Sequence, residues 1–187
     1  LSTWSDFFDA AKKEASGRTS MSDDPAGIVG SYFWANDLDW NTTDADALEA
    51  ARTFLVQEVA PHISAFDSYP GTNAIPQGTQ VLMQAWNGDA RLGLLNSSEP
   101  GRWQWVLPGP VTELWMDNWA IAVGAPHPEA AHAFINYSLE PDNLALALDY
   151  IGYNVGGKDM EQAAKDAGMQ LTDLIFFTDA QLATMKE

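Results

Sequence analysis

The stretch Trp115-Met116-Asp117-Asn118-Trp119, followed by Ala120-Ile121-Ala122-Val123, decides how the rest of the chain is read. Two indoles and a carboxylate stand close together, directly before an apolar run that reads as a buried strand. If Leu114 to Met116 is extended, Trp115 and Asp117 share one side of the chain, because strand side chains alternate. An aromatic face beside a carboxylate suits an organic cation. The ring attracts it through its quadrupole and the carboxylate through its charge. On the residues alone a second reading stays open, an edge strand whose tryptophan is packing and whose aspartate caps a turn.

Upstream, residues 80–85 read as an apolar strand, with Val81, Leu82 and Met83 in a row suggesting burial on both faces. Trp86-Asn87-Gly88-Asp89 lies at its carboxyl end, where ligands sit in open α/β sheets. Residues 90–95 continue as a short helix, and Asp89 reads as a surface residue beginning it. Residues 103–107 alternate apolar and polar and predict a second strand. Downstream, Pro128 opens a helix with Ala130, Ala131, Phe134, Ile135 and Leu139 on its inner face. Pro141 opens another through Leu144, Ala145 and Leu148, ended by Gly152. Tyr153 follows on an irregular stretch. Residues 159–167 read as an exposed helix, 171–177 as an apolar segment that docks on the body, and 178–186 as a last short helix.

Further back, residues 4–15 predict a helix with Trp4, Phe7, Phe8 and Ala11 on one face. Residues 18–22 are a strand candidate, weak by residue type. Asp24 fits a helix N-cap and Pro25 the first helical position. The helix they start runs to Ala35 and turns Ile28, Tyr32 and Phe33 inward. Gly27 and Gly30 each weaken it by roughly 1 kcal/mol relative to alanine, so either something approaches it closely or it is strained. Thr43 with Asp46 resembles a capping box. The helix behind it reaches Glu58, with Leu48, Ala51, Leu55 and Phe54 as its inner stripe. Residues 63–66 form a short strand, and 67–77 a loop.

Composition narrows the function classes. The net charge of −17 comes from 26 acidic against 9 basic residues. That argues against nucleic acid and against an anionic membrane surface, and is permissive for cations. At 46% hydrophobic residues with eight tryptophans, the chain is not a disordered acidic segment. Its 187 residues suffice for a sizeable core. There is no cysteine, hence no disulfide and no thiolate nucleophile. No apolar run is long enough to span a membrane, and no signal peptide is visible. The amphipathic opening at Leu1 makes the chain look like a mature fragment or a domain cut from something longer.

Enzyme motifs are missing. There is no glycine-rich phosphate loop, no His-Glu-x-x-His and no serine elbow. His62, His127 and His132 do not stand in ligand spacing, so neither a metal nor another cofactor is expected. Asp117 with Asp89 or Asp24 imitates a glycosidase carboxylate pair, since sugar-stacking tryptophans accompany such pairs. The expectation is nonetheless no catalysis.

At Trp115-Met116-Asp117 the chain resembles the second lobe of the periplasmic spermidine/putrescine-binding proteins of ABC transporters, and the similarity runs along nearly its whole length. Thr3-Trp4-Ser5-Asp6-Phe7 is similar to the family's Ser-Trp-x-Asp-Leu. Ser22-Asp23-Asp24 is similar to its Thr-Asp-Asp, and Asn41-Thr42-Thr43-Asp44 to its Asn-Thr-Thr-Asp. Trp86-Asn87-Gly88 matches Trp-Asn-Gly, and Trp115-Met116-Asp117 matches Trp-Met-Asp. His132 to Pro141 resembles the helix ending Phe-Ile-Asn-Phe-Leu-Leu-Glu-Pro, and Ile151-Gly152-Tyr153 the family's Ile-Gly-Tyr.

The resemblance implies an α/β, periplasmic-binding-protein-like lobe, with a mostly parallel central sheet and helices on both faces. Residues 1–187 then form a single lobe. The first lobe, normally built from residues before Leu1 and after Glu187, is absent, and the face it leaves is available for dimerisation. The implied partners are a small cationic solute (a polyamine), the membrane permease of an ABC transporter and the missing lobe. The implied location is periplasmic. Carried over residue by residue, Asp24 binds an ammonium, Trp86 and Trp115 stack on the methylene chain, Asp117 binds an amine nearer the centre, and Tyr153 lines the cleft. Two departures stand out. Gly27 occupies the place of a glutamate that serves an extra amine, which favours putrescine over spermidine or a ligand outside the polyamines. Asn154-Val155-Gly156-Gly157 replaces Pro-Thr-Pro-Asn after Tyr153.

Overall fold

A computed structural model describes residues 1–186. The backbone divides into two compact units. The first is Leu1–Leu114 together with the segment from Thr178 on, and the second is Trp115–Phe177.

The first unit opens with α1 (Trp4–Lys12), started by a reciprocal cap. The Thr3 hydroxyl accepts from the Asp6 amide at 3.0 Å, and the Asp6 carboxylate accepts from the Thr3 amide at 3.0 Å. The helix buries Trp4, Phe7, Phe8 and Ala11, the four residues its periodicity selects. The chain then enters β1 (Thr19–Met21), buried throughout. Asp24, in extended conformation, caps α2 (Pro25–Ala35), and Pro25 takes its first position. The large residues α2 turns fully inward are Phe33 and Trp34, with Ser31 and the two glycines buried beside them. Ile28 and Tyr32 are only partly buried. The close approach that its glycines announce is made by an indole: a Cβ at Gly30 would stand 3.3 Å from the Trp40 ring.

The cap of α3 (Ala45–Thr53) is Asp44 instead of Thr43, its carboxylate accepting from the Ala47 amide at 2.8 Å. Ala51 and Leu55 face inward as expected, but Leu48 is exposed. A π-helical turn, Phe54–Val59, continues α3 and shifts the inward face. Next come β2 (Ile63–Phe66), α4 (Ala74–Gln77), β3 (Leu82–Met83) and α5 (Asn87–Asn96). The three strands form one parallel sheet in the order β2-β1-β3, so the chain has the expected α/β architecture, a mostly parallel sheet flanked by helices. The strand predicted over 80–85 shortens to two partly buried residues because β3 is an edge, paired on one side only. Residues 103–107 form no strand. Trp103, Trp105 and Val106 instead line an apolar cleft of about 350 Å³ with Trp4, Ile75 and Leu94. A second parallel ladder pairs β4 (Thr112–Glu113) with β5 (Met185–Lys186), where the sequence suggested the end of a helix.

The core of this unit gathers Trp4, Phe7, Phe8, Met21, Trp34, Leu55 and Val59. Trp4 stacks on Trp34 at 6.0 Å between ring centroids, and its indole N–H donates to the Val111 carbonyl at 3.1 Å. Each large side chain buried here contributes about 1.5–3 kcal/mol.

The second unit contains α6 (Pro128–Ser138), α7 (Pro141–Ile151) and α8 (Met160–Asp166). Gly152, at φ 72°, ends α7 in the left-handed conformation that glycine adopts without penalty. Leu144 and Leu148 of α7 meet Met160 and Ala164 of α8 and Ile175, so the helix expected to be exposed has a buried face and the segment 171–177 is docked. Two expectations fail. The apolar run Ala120–Val123 is not a buried strand, since it forms no ladder and Val123 is fully exposed. On α6 no residue is buried, and Phe134 and Leu139, read as its inner face, are exposed. Apolar sequence produces burial only where a partner covers it, and β4 has a ladder partner for only two residues.

Candidate functional site

Within the first unit, the C-terminal ends of β1 and β3 meet the first turn of α2. Gln84 is the tie. Its amide donates to the Ser20 carbonyl at 3.1 Å, its Oε1 accepts from the Ser22 amide at 3.4 Å, and its Nε2 donates to the Gly27 carbonyl at 3.2 Å. Asp24 stands at this junction, partly buried, with Oδ1 accepting from the Ala26 amide at 3.0 Å and Oδ2 from the Gly27 amide at 3.2 Å. Capping orients the carboxylate, and its spare lone pairs remain available to a cation. Trp86, partly buried, occupies the N-cap position of α5 just beyond β3. Gln84, which ties these ends together, is a plain polar residue just past β3 and carried no signal in the sequence.

Glu113 was also missed. It lies on β4, which packs against α2. Thr112 is buried and lines the apolar cleft, so strand alternation sends Glu113 to the other side. Burial pushes its carboxyl up to about 7, and the negative charge of Asp24 adds to the effect. Among the described residues no ion pair reaches either carboxylate. A signal was present in the sequence, since Glu113, Trp115 and Asp117 follow one another at every second position.

Asp89 departs from its reading as a surface residue. It is 7% exposed, and its carboxylate accepts from the Gly71 amide at 2.6 Å. Burial raises its pKa and the charge of Asp67 adds to this, against the opposing effect of the Gly71 bond. Its carboxylate therefore holds the 67–73 loop onto α5.

Within the second unit, Trp115 and Tyr153 come together edge to face, with ring centroids 5.3 Å apart and an interplanar angle of 67°. The two residues are far apart in sequence, and the unit brings them to one place. Asp117 is exposed on the irregular segment that follows Trp115. The Asn118 side chain braces that segment by donating to the Met116 carbonyl at 3.0 Å. Trp119, 63% exposed, meets Phe134 edge to face at 5.4 Å. Among the described residues no group of three or more His, Asp or Glu side chains is arranged to hold a metal.

Comparison with known proteins gives these groups a context. The model of the bacterial extracellular solute-binding proteins matches residues 1–184. The chain belongs to that family. Among curated relatives, a putrescine/agmatine-binding protein of Pseudomonas aeruginosa is 27% identical over 124 residues, 65% of this chain and 34% of that protein. A putrescine/cadaverine-binding protein of the same organism is 26% identical over 153 residues, 80% of this chain and 43% of its own length. Among solved structures, the Tp0655 lipoprotein of Treponema pallidum is 27% identical with a TM-score of 0.68, over 80% of this chain and 46% of its own. A putative spermidine/putrescine transporter protein of Listeria monocytogenes, 23% identical, superposes with a TM-score of 0.82 over 98% of this chain and 54% of its own, a likeness of fold. The chain thus spans about half or less of the length of these relatives. The family is one of extracellular solute-binding proteins, which bind and do not catalyse.

Proposed function

We propose that this chain supplies one lobe, and one half of the binding site, of a periplasmic solute-binding protein that delivers a polyamine to an ABC-transporter permease. Putrescine is the preferred ligand over spermidine. The observation that carries this reading is the Trp115–Tyr153 edge-to-face pair, formed beside the segment that bears Asp117. A diamine has charged ends and an apolar middle, so its site needs carboxylates for the ends and flat walls between them. Each desolvated cation–π contact contributes about 0.5–2 kcal/mol. In the first unit Asp24, oriented by its capping bonds, is assigned one ammonium and Trp86 a stretch of methylenes; in the second, Trp115 and Tyr153 are assigned the aromatic wall and Asp117 an amine nearer the centre. The curated relatives are named for putrescine with agmatine or cadaverine, and Gly27 in place of an added carboxylate favours the shorter amine.

The test is a nitrogen-15 NMR titration of the chain with putrescine, spermidine and the uncharged 1,4-butanediol, which reads weak binding by a half-site. The Trp115 indole signal is expected to move with the amines and not with the diol. Asp117→Asn is expected to abolish that movement and leave the folded spectrum intact. Equal responses to all three compounds end the cationic reading, and an unchanged response in Asp117→Asn removes that residue from the site.

A further inference from the structure

We infer that Glu113, presented by β4 beside the N-terminus of α2, is a specificity-determining residue that joins Asp24 in holding one cationic end of the ligand and couples its capture to release of a proton. The inference rests on the polyamine reading above and extends it to a residue outside the resemblance.

The geometry comes from two elements that meet for unrelated reasons. Asp24 is held by the helix amides it caps. Glu113 is held by the β4–β5 ladder, in register with Lys186, and the Leu114 amide donates to the Lys186 carbonyl at 2.8 Å. The groups facing Glu113 from its neighbouring elements are thus Asp24 at the start of α2 and Lys186 on β5. Lys186 makes no ion pair among the described residues, and Asp24 is the charge that Glu113 senses. A Cβ at Gly27 would stand 3.1 Å from Asp24 Oδ2 and 3.6 Å from Ser22 Oγ, so a side chain there would crowd this carboxylate. Gly27 leaves the place open, and β4 supplies the second acid from a different direction. Ser20 lies on β1, two residues before Ser22. It is fully buried, and its hydroxyl has no partner among the described residues. This junction therefore holds more acceptor capacity than the folded chain uses.

Two carboxylates without a cation between them do not both ionise readily in a partly buried place. With the site empty, Glu113 keeps its proton up to about neutral pH. An arriving ammonium or guanidinium replaces that proton: the Glu113 O–H proton leaves to buffer, and the carboxylate accepts from the ligand N–H. Affinity should then weaken as pH falls below 7 and level off once Glu113 is fully protonated, at the affinity of a chain with no charge at that position. The stability of the empty chain moves the other way. A carboxyl raised from 4.5 to about 7 contributes nothing below the lower value, where both folded and unfolded chains hold the proton. Its penalty grows as pH rises through that window and is complete above it.

The experiment compares the chain with Glu113→Gln by amine titration at pH 5.5 and 8, thermal unfolding at pH 4 and 8, and carbon-13 titration of the Glu113 carboxyl. Putrescine and agmatine are expected to bind the variant about tenfold more weakly at pH 8, with the pH dependence flattened. The variant is expected to melt higher than the parent at pH 8 and equally at pH 4, and saturating putrescine to lower the Glu113 titration midpoint. A residue that only packs would not gain stability and lose ligand together. An amine response that Glu113→Gln leaves unchanged, or a Glu113 carboxyl that titrates in the ordinary glutamate range, overturns this inference alone. Absence of response to any amine overturns the polyamine reading and this inference with it.

Discussion

The two units carry candidate ligand groups on different kinds of support. In the first, Asp24 and Glu113 sit at the ends of regular elements, one capping a helix and the other in a ladder. Beneath them lies an aromatic core in which Trp4 and Trp34 stack. In the second, Trp115 and Asp117 sit on irregular backbone, and order comes from one ring contact and a small cluster around α7 and α8. The difference teaches that charge and aromatic wall are under separate control. A carboxylate near another needs a rigid frame, since the folded chain must resist their repulsion. An aromatic wall tolerates a looser support, because dispersion and quadrupole attraction vary gently with angle.

The comparison breaks most strongly at the cores. Trp4→Ala should cost about 3–5 kcal/mol and remove the bond to Val111, measured as loss of stability in urea unfolding. If the units are energetically distinct, amide exchange in α7 and α8 stays slow while that of α1 and α2 accelerates. Leu148→Ala, at a side chain 1% exposed, should cost about 2–4 kcal/mol and show the converse pattern. Equal acceleration everywhere in either variant would mean that the two units unfold as one.

A smaller effect sharpens the account of Asp24, which has two duties. Asp24→Ala should destabilise the chain by about 1 kcal/mol through loss of the cap. Asp24→Asn, which caps equally well, should cost almost nothing in stability yet weaken amine binding and lower the Glu113 titration midpoint. If the asparagine variant binds amines as the parent does, capping is the whole of that residue's role.

Legibility differed between local and distant causes. The four buried residues of α1, the Asp24-Pro25 start of α2 and the Gly152 stop of α7 were legible because each depends on neighbours within a turn or two. The parallel α/β class and the solute-binding family were legible from ordered short motifs along the chain. The central position of β1 was hidden, since Thr19, Ser20 and Met21 are unremarkable strand residues and acquire burial only from β2 and β3. The strands expected over 103–107 and 120–123 failed for the same reason in reverse, as alternation and apolarity without a partner produce no ladder. Asp89 looked like a surface acid because nothing near it in sequence foretells the Gly71 amide.

By itself, then, the sequence determined the start of α2 and the stop of α7, the glycines that admit close neighbours, the acidic and tryptophan-rich character, and the family. Those rest on contacts short along the chain or on residue identity alone. Only the tertiary structure decided that Glu113 faces the charge of Asp24, that Trp115 meets Tyr153, and which apolar runs are covered. Such pairings join residues tens of positions apart, and their energies exist only once the backbone has closed the loops between them.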